Sequence, residues 1–244
     1  MNERPVSPTR RFAPRLTRAE TVIGWVYLPI HVFLLPILLG MFQELYPSGN
    51  ISDILVNLIY YGISLAVVAV CFLRLLRREF DHLCDRLASC LYTFFLGWMA
   101  WWVVSYLIAL VTMLLGVEAE NPNDMTIGAM LSGNYYRMMA ISAIGAPLVE
   151  ETLFRGVVFQ SLRRKGRVLA YVVSGGLFCL YHVWSYALAE GNALLLLYAL
   201  QYVPVTLIMT WVYERSGSLW TSVFFHSSYN FLSLFAMRQL QLIS

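Results

Sequence analysis

Apolar runs long enough to cross a hydrocarbon layer of about 30 Å recur at roughly 21–42, 51–73, 93–117, 135–161, 168–189, 193–213 and 218–236. The pattern predicts an all-α, polytopic transmembrane helix bundle of about seven spans. Pro29 and Pro36 in the first run, Pro147 in the fourth and Pro204 in the sixth mark candidate kinks. Such prolines are tolerated in membrane helices because neighbouring helices satisfy the freed carbonyls. Between the second and third runs, Phe80, Leu83, Cys84, Leu87 and Leu91 recur at helical spacing opposite Glu79, Asp81, Asp85 and Arg86. That spacing predicts a short helix lying in the membrane interface. No internal repeat or linker divides the chain. It reads as a basic tail over 1–20 followed by one helical domain over 21–244.

Composition agrees with a membrane protein: 59% of residues are hydrophobic and 13% charged, with a mean hydropathy of +0.64. The formal net charge of +3 is too small to point to nucleic acid. The four cysteines, Cys71, Cys84, Cys90 and Cys179, show no CxxC or other metal-ligand spacing. Loop charge alternates along the chain. An arginine-rich tail is followed by the uncharged or acidic stretches at 43–50 and 118–124, each alternating with the basic clusters at Arg74, Arg77, Arg78 and Arg86 and at Arg163, Arg164, Lys165 and Arg167, and then by Arg215. By the positive-inside rule the N-terminus is cytosolic, and Arg238 is the basic residue that does not fit. No cleavage site follows the first apolar run, so it is expected to be retained as a helix. The tail, with Pro5, Pro8 and Pro14 among its arginines, is expected to lie disordered on anionic lipid.

The candidate chemistry sits inside the apolar runs. Glu150, Glu151 and Arg155 lie in the fourth, where a charge costs on the order of 2.5–3.5 kcal/mol to insert and so marks a functional site or a buried pair. Glu151 and Arg155 stand at i and i+4 with the acid first, the better orientation for an intrahelical pair. Glu150 is turned by about 100° from Glu151, so one carboxylate is neutralised by its own helix while the other stays available. In the fifth run His182 follows Phe178 at i+4, after Gly175 and Gly176, whose missing side chains invite a close approach. In the last run His226 and Asn230 share one helical face, and Ser222, Ser227 and Ser228 make the segment polar enough to line a wet cavity. Each group alone has a reading as interhelical glue or packing, and a lone histidine among aromatics is more often a packing residue. Counted from Arg163, Arg167 and Arg215, however, Glu150, His182 and His226 lie about 13, 15 and 11 residues deep, or roughly 15–25 Å. Three helices bringing ionisable groups to one level predict a single cavity, expected to open to the cytosol.

Glu150-Glu151-x-x-x-Arg155, Phe178-x-x-x-His182 and His226-x-x-x-Asn230 resemble, in order, the three signatures of the CAAX prenyl protease and bacteriocin-processing (CPBP, Abi) family of intramembrane glutamic endopeptidases. The resemblance covers about residues 135–236, and the first three runs carry no motif. It implies that Glu150 is the general base, with His182 helping to position and deprotonate the same water. It further implies that His226 and Asn230 donate to the oxyanion, that Glu151 and Arg155 orient the site, and that Phe178 belongs to the substrate cavity. Peptide hydrolysis needs both a base and such donors.

The resemblance implies no metal or other cofactor. Zinc on two histidines and a glutamate is the alternative, although no H-E-x-x-H helix is present. A non-catalytic scaffold or immunity protein and a transporter are the remaining alternatives, the last requiring matching helix breaks in two halves. The expected partners are the lipid bilayer and a membrane-associated peptide or prenylated protein C-terminus. The expected location is a prokaryotic plasma membrane.

Overall fold

The structure is a computed structural model and describes residues 12–45, 51–115, 121–131 and 133–243. Among these residues the only regular structure is helical. Helix α1 runs Arg18–Leu45, α2 Asp53–Cys71, α3 Leu73–Asp85, α4 Leu87–Leu115 and α5 Pro122–Leu131. The run 135–163 is α6, followed by α7 at Arg167–Tyr181, α8 at Trp184–Ala189, α9 at Ala193–Ser216 and α10 at Leu219–Ile243.

Four of these among the described residues, α1, α2, α4 and α9, are long and apolar enough to cross a membrane, and α7 is a shorter apolar helix. The expected fifth span at 168–189 is broken, because α7 stops at Tyr181 and the chain turns through His182 and Val183 before α8. The sixth begins as a 3-10 helix, Ala193–Tyr202. Pro204 then sits in the first turn of the α-helical part, where its missing N–H costs nothing. Elsewhere the prolines accompany wide turns. Ile30–Leu34 is π-helical between Pro29 and Pro36, and Ile141–Gly145 is π-helical just before Pro147. A longer π-helical stretch, Glu151–Phe159, is buried along its whole length. Widened turns of this kind are frequent at functional sites.

The bundle has two distinguishable ends. At one, Arg15, Arg78, Arg163, Arg164 and Arg167 gather around Glu20, Glu79 and Glu214. The expected disordered tail is not wholly so. Residues 1–11 lie outside the described residues, but Phe12 packs edge-on to Phe159 and Tyr213, and Leu16 is buried. Gln160 Oε1 accepts from the Arg15 and Leu16 amides, and Arg15 Nη1 donates to the Gly217 carbonyl at 2.6 Å. Thr17 and Glu20 then form a reciprocal cap that starts α1.

The interfacial helix α3 also differs from its expected face. Leu75, Leu76, Glu79 and Leu83 are buried, whereas Phe80 is exposed and Leu87 and Leu91 belong to the next helix. Glu79 turns inward because it has partners there. Its carboxylate accepts from the Leu219 amide, Gln160 Nε2 and Arg15. Burial pushes the Glu79 carboxyl up, and the Leu219 amide and Arg15 pull it back.

Gly24, Gly97 and Gly217 leave no room for a Cβ. Gly217 ends α9 at φ +72°, and a Cβ there would lie 2.9 Å from His82 Nε2. A Cβ on Gly24 would run into Val157, so this glycine lets α1 press against α6. Gly175 and Gly176 do not serve a close approach. Helix α7 is continuous through both, a Cβ on Gly175 would make an ordinary 3.5 Å contact with Thr206, and one on Gly176 would meet nothing.

Candidate active site

Helices α6, α7 and α10 bring Glu150, Phe178, His182, His226 and Asn230 to one cavity of about 530 Å3. Glu151 and Arg155 do not line it. Both are fully buried behind it, joined by a 3.0 Å ion pair across one turn of α6. The Glu151 carboxylate also accepts from Ser222 Oγ at 2.6 Å and lies 3.0 Å from His226 Nδ1. Arg155 donates to Thr206 Oγ1 at 2.6 Å and stacks its guanidinium 4.3 Å from the centre of the Phe178 ring. Ser222 therefore holds a carboxylate instead of lining a wet cavity, and Ser227 and Ser228 are not among the lining residues. One face of Phe178 is used by Arg155. Its ring also lies 4.5 Å from His182 and 5.8 Å from His226, centre to centre, so it is a wall shared by both histidines.

Hydrogen-bond partners fix what each ring can do. His182 Nδ1 lies 2.8 Å from the Phe178 carbonyl, which only accepts. In the neutral ring Nδ1 therefore carries the hydrogen and Nε2 keeps its lone pair. His226 has the same arrangement, with Nδ1 toward Glu151 and Nε2 3.8 Å from Glu150 Oε2. Its Nε2 is a donor only in the doubly protonated ring. Asn230 Nδ2 donates to the Ser142 carbonyl at 2.7 Å, which uses one of its two N–H groups.

The site has a part that the motifs do not show. Glu150 Oε1 accepts from Tyr61 Oη at 2.9 Å. Tyr61 is 3.2 Å from Tyr181 Oη, Tyr181 is 3.1 Å from Tyr60 Oη, and Tyr60 is 3.0 Å from His31 Nε2. A hydrogen-bonded chain thus links Glu150 to a fully buried histidine in the π-helical turn of α1. His31 Nδ1 is held in turn by Ser64 Oγ at 3.0 Å. An intramembrane histidine and a Tyr-Tyr pair in the first two apolar runs were the available signals, and neither belongs to a motif.

The cavity opens where the sequence did not place its mouth. Its lining runs from Glu150 to Gln43, Asp53, Asn121, Asn123 and Met237, at the end of the bundle away from the arginine clusters. The expectation joined an arginine-rich cytosolic end to a cavity open to the cytosol, and the structure separates the two. On the arginine side of Glu150 the bundle is filled. Leu153, Phe154, Val157, Val158, Phe159, Tyr213 and Leu219 have no exposed surface.

Residues 132–232 match the family model described as type II CAAX prenyl endopeptidase Rce1-like. This segment of the chain is similar to that family. The match spans all three signatures, from Glu150 to Asn230. A curated relative, UPF0177 protein YxdF of Lactococcus lactis subsp. lactis (strain IL1403), is 35% identical over 91 residues, 37% of this chain and 44% of that protein. The chain thus spans less than half the length of the curated relative it matches. No solved structure matches it significantly. With four helices able to cross a bilayer, the Rce1-like segment belongs to a membrane protein.

Proposed function

We propose that the Rce1-like segment forms an intramembrane endopeptidase of the glutamic type, hydrolysing a peptide bond in a membrane-associated substrate without a metal. The observation that carries this reading is the division of labour between adjacent carboxylates. Glu151 is saturated by Arg155, Ser222 and His226, whereas Glu150 has one oxygen held by Tyr61 and the other toward the cavity. Only Glu150 lines the cavity, where a water can reach its carboxylate.

In this mechanism Glu150 Oε2 takes a proton from a water in the cavity, and His182 Nε2 accepts a hydrogen bond from the same water and orients it. The resulting hydroxide attacks the scissile carbonyl. The second N–H of Asn230 and the protonated His226 ring stabilise the oxyanion. Glu150 then returns the proton to the leaving amine, as microscopic reversibility requires. Glu151 and Arg155 hold His226 in place. Among the described residues no group of three or more His, Cys, Asp or Glu is disposed to hold a metal ion.

The test is cleavage of a quenched, lipid-tethered peptide library by the purified full chain in detergent, compared with His182→Ala, with and without excess chelator. Cleavage by the wild type that survives chelation and falls by about 100-fold or more in His182→Ala agrees with the proposal. Activity that chelation abolishes and zinc restores would assign the site to metal-dependent hydrolysis.

A further inference from the structure

We infer that Tyr202 is a positioning residue for His182, its ring fixing the plane of the imidazole so that Nε2 stays turned toward the water in the cavity. This rests on the protease reading, which gives His182 its task, and adds a residue that none of the three signatures contains.

His182 needs outside support because of where α7 ends. It caps that helix, and the last bonds tighten, from the His182 amide to the Cys179 carbonyl and from the Val183 amide to the Leu180 carbonyl. Beyond Val183 the chain has already turned into α8. Among the described residues the imidazole makes one hydrogen bond, from Nδ1 to the Phe178 carbonyl at 2.8 Å. A single bond at Nδ1 lets the ring pivot about it, and a pivot carries Nε2, on the far side of the ring, away from the cavity. The plane must then be set by what the ring packs against. Phe178, on the same helix, is tilted by 47° at 4.5 Å, and Tyr181 meets the ring at 84° and 5.2 Å. Tyr202 alone lies close to parallel, at 28° with the ring centres 4.4 Å apart. A stacked ring at that distance resists rotation of its neighbour out of plane.

Tyr202 can serve as a fixed surface because it is held at both ends. Its backbone closes the 3-10 turn Ala193–Tyr202, and Pro204 sits in the first turn of the α-helix that follows. Its hydroxyl accepts from Asn121 Nδ2 at 3.0 Å. Asn121 is buried and both ends of its amide are committed. Nδ2 also donates to Gln201 Oε1 at 2.8 Å, and Oδ1 accepts from the Asn123 amide at 2.9 Å, the bond that starts α5. The start of α5 and the middle of α9 thus clamp a ring that belongs to the end of α7. Asn121, Tyr202 and His182 all line the same cavity as Glu150.

The test compares Tyr202→Leu, Tyr202→Met and Tyr202→Phe in the purified full chain, each alone and combined with His182→Ala. Methionine fills the space without a flat ring and serves where leucine does not fold. We expect loss of the ring to lower kcat by about 3- to 10-fold with KM unchanged, the size of one aromatic pair. Tyr202→Phe keeps the stack and should recover most of that loss. In the His182→Ala background the same substitutions should change kcat no further, because the ring acts only through His182. A loss that persists in that background, or an unchanged kcat without the ring, would overturn the inference. A second readout does not depend on cleavage: the imidazole nitrogen resonances of the histidine-labelled chain, with His182 assigned by its absence from His182→Ala. One tautomer with the hydrogen on Nδ1 is expected in the wild type and in Tyr202→Phe, and an averaged or broadened signal in Tyr202→Leu and Tyr202→Met. If no protein cleaves the peptide, the protease reading fails, and a His182 signal that ignores loss of the Tyr202 ring would separately overturn the positioning role.

Discussion

Replacing Arg155 by methionine leaves the Glu151 carboxylate buried with no cation beside it. In the native bundle both side chains have no exposed surface and meet at 3.0 Å. Removing one partner of such a pair generally costs about 3–5 kcal/mol, because the remaining charge keeps its desolvation penalty. Ser222 and His226 still contact Glu151, which places the expected loss near the lower limit, at about 3 kcal/mol, or roughly a 100-fold change in the folding equilibrium. Glu151→Gln with Arg155→Met removes both charges, and the double variant is expected to regain at least half of that loss. The assay is reversible unfolding in mixed detergent micelles, run as a double-mutant cycle over the wild type, both single variants and the pair. A coupling energy below about 0.5 kcal/mol would refute the reasoning, since residues this close are expected to couple by more. Such a result would show that the pair does not hold the α6 π-helical turn.

Other consequences follow from single contacts. Tyr61→Phe removes the donor to Glu150 Oε1, and a hydrogen bond to a charged group is worth about 1.5–3 kcal/mol. We expect kcat to fall by about 10- to 100-fold with KM unchanged, as read by steady-state kinetics on the lipid-tethered peptide. Gly217→Ala forces a left-handed backbone and a Cβ into His82, so it is expected to cost about 1–2 kcal/mol, measured as a lowered thermal midpoint. His82, on α3 outside the membrane-spanning helices, is held below its usual 6.5 by burial and by Arg15 and Arg86. The unfolded chain then takes up this proton first as the pH drops, so stability is lost as pH falls through about 6.5. His82→Gln should flatten the decline in melting temperature between pH 7.5 and 5.5, and an unchanged slope would show that another group governs it.

The helical class and the positions of the site helices were legible because hydrophobic runs and intramembrane charges are strong, local signals. The convergence of Glu150, His182 and His226 was readable from their depth alone, and all three line the same cavity. What periodicity could not reveal was partnership between distant helices. Tyr61 looks like any other aromatic residue in an apolar run, yet its hydroxyl meets Glu150 across 89 positions of sequence. Glu79 was assigned to a solvated face by spacing, and it turns inward because the Leu219 amide and Gln160 are there to receive it. The end toward which the cavity's lining runs was not legible for a related reason. Depth counted from the arginines measures distance to one end, and the cavity's lining runs toward the other. Pro29, Pro36 and Pro147 announced irregularity but not its form, since a proline is compatible with either a kink or a widened turn.

The central claim is that the Glu150 carboxylate activates water for peptide hydrolysis. Its most direct test is turnover of the same peptide by wild type and Glu150→Gln in matched proteoliposomes, with melting temperatures measured on both. The account predicts a protein that is folded and slower by about 100- to 10,000-fold, the usual contribution of a general base. A folded Glu150→Gln that cleaves within about threefold of the wild type would contradict it.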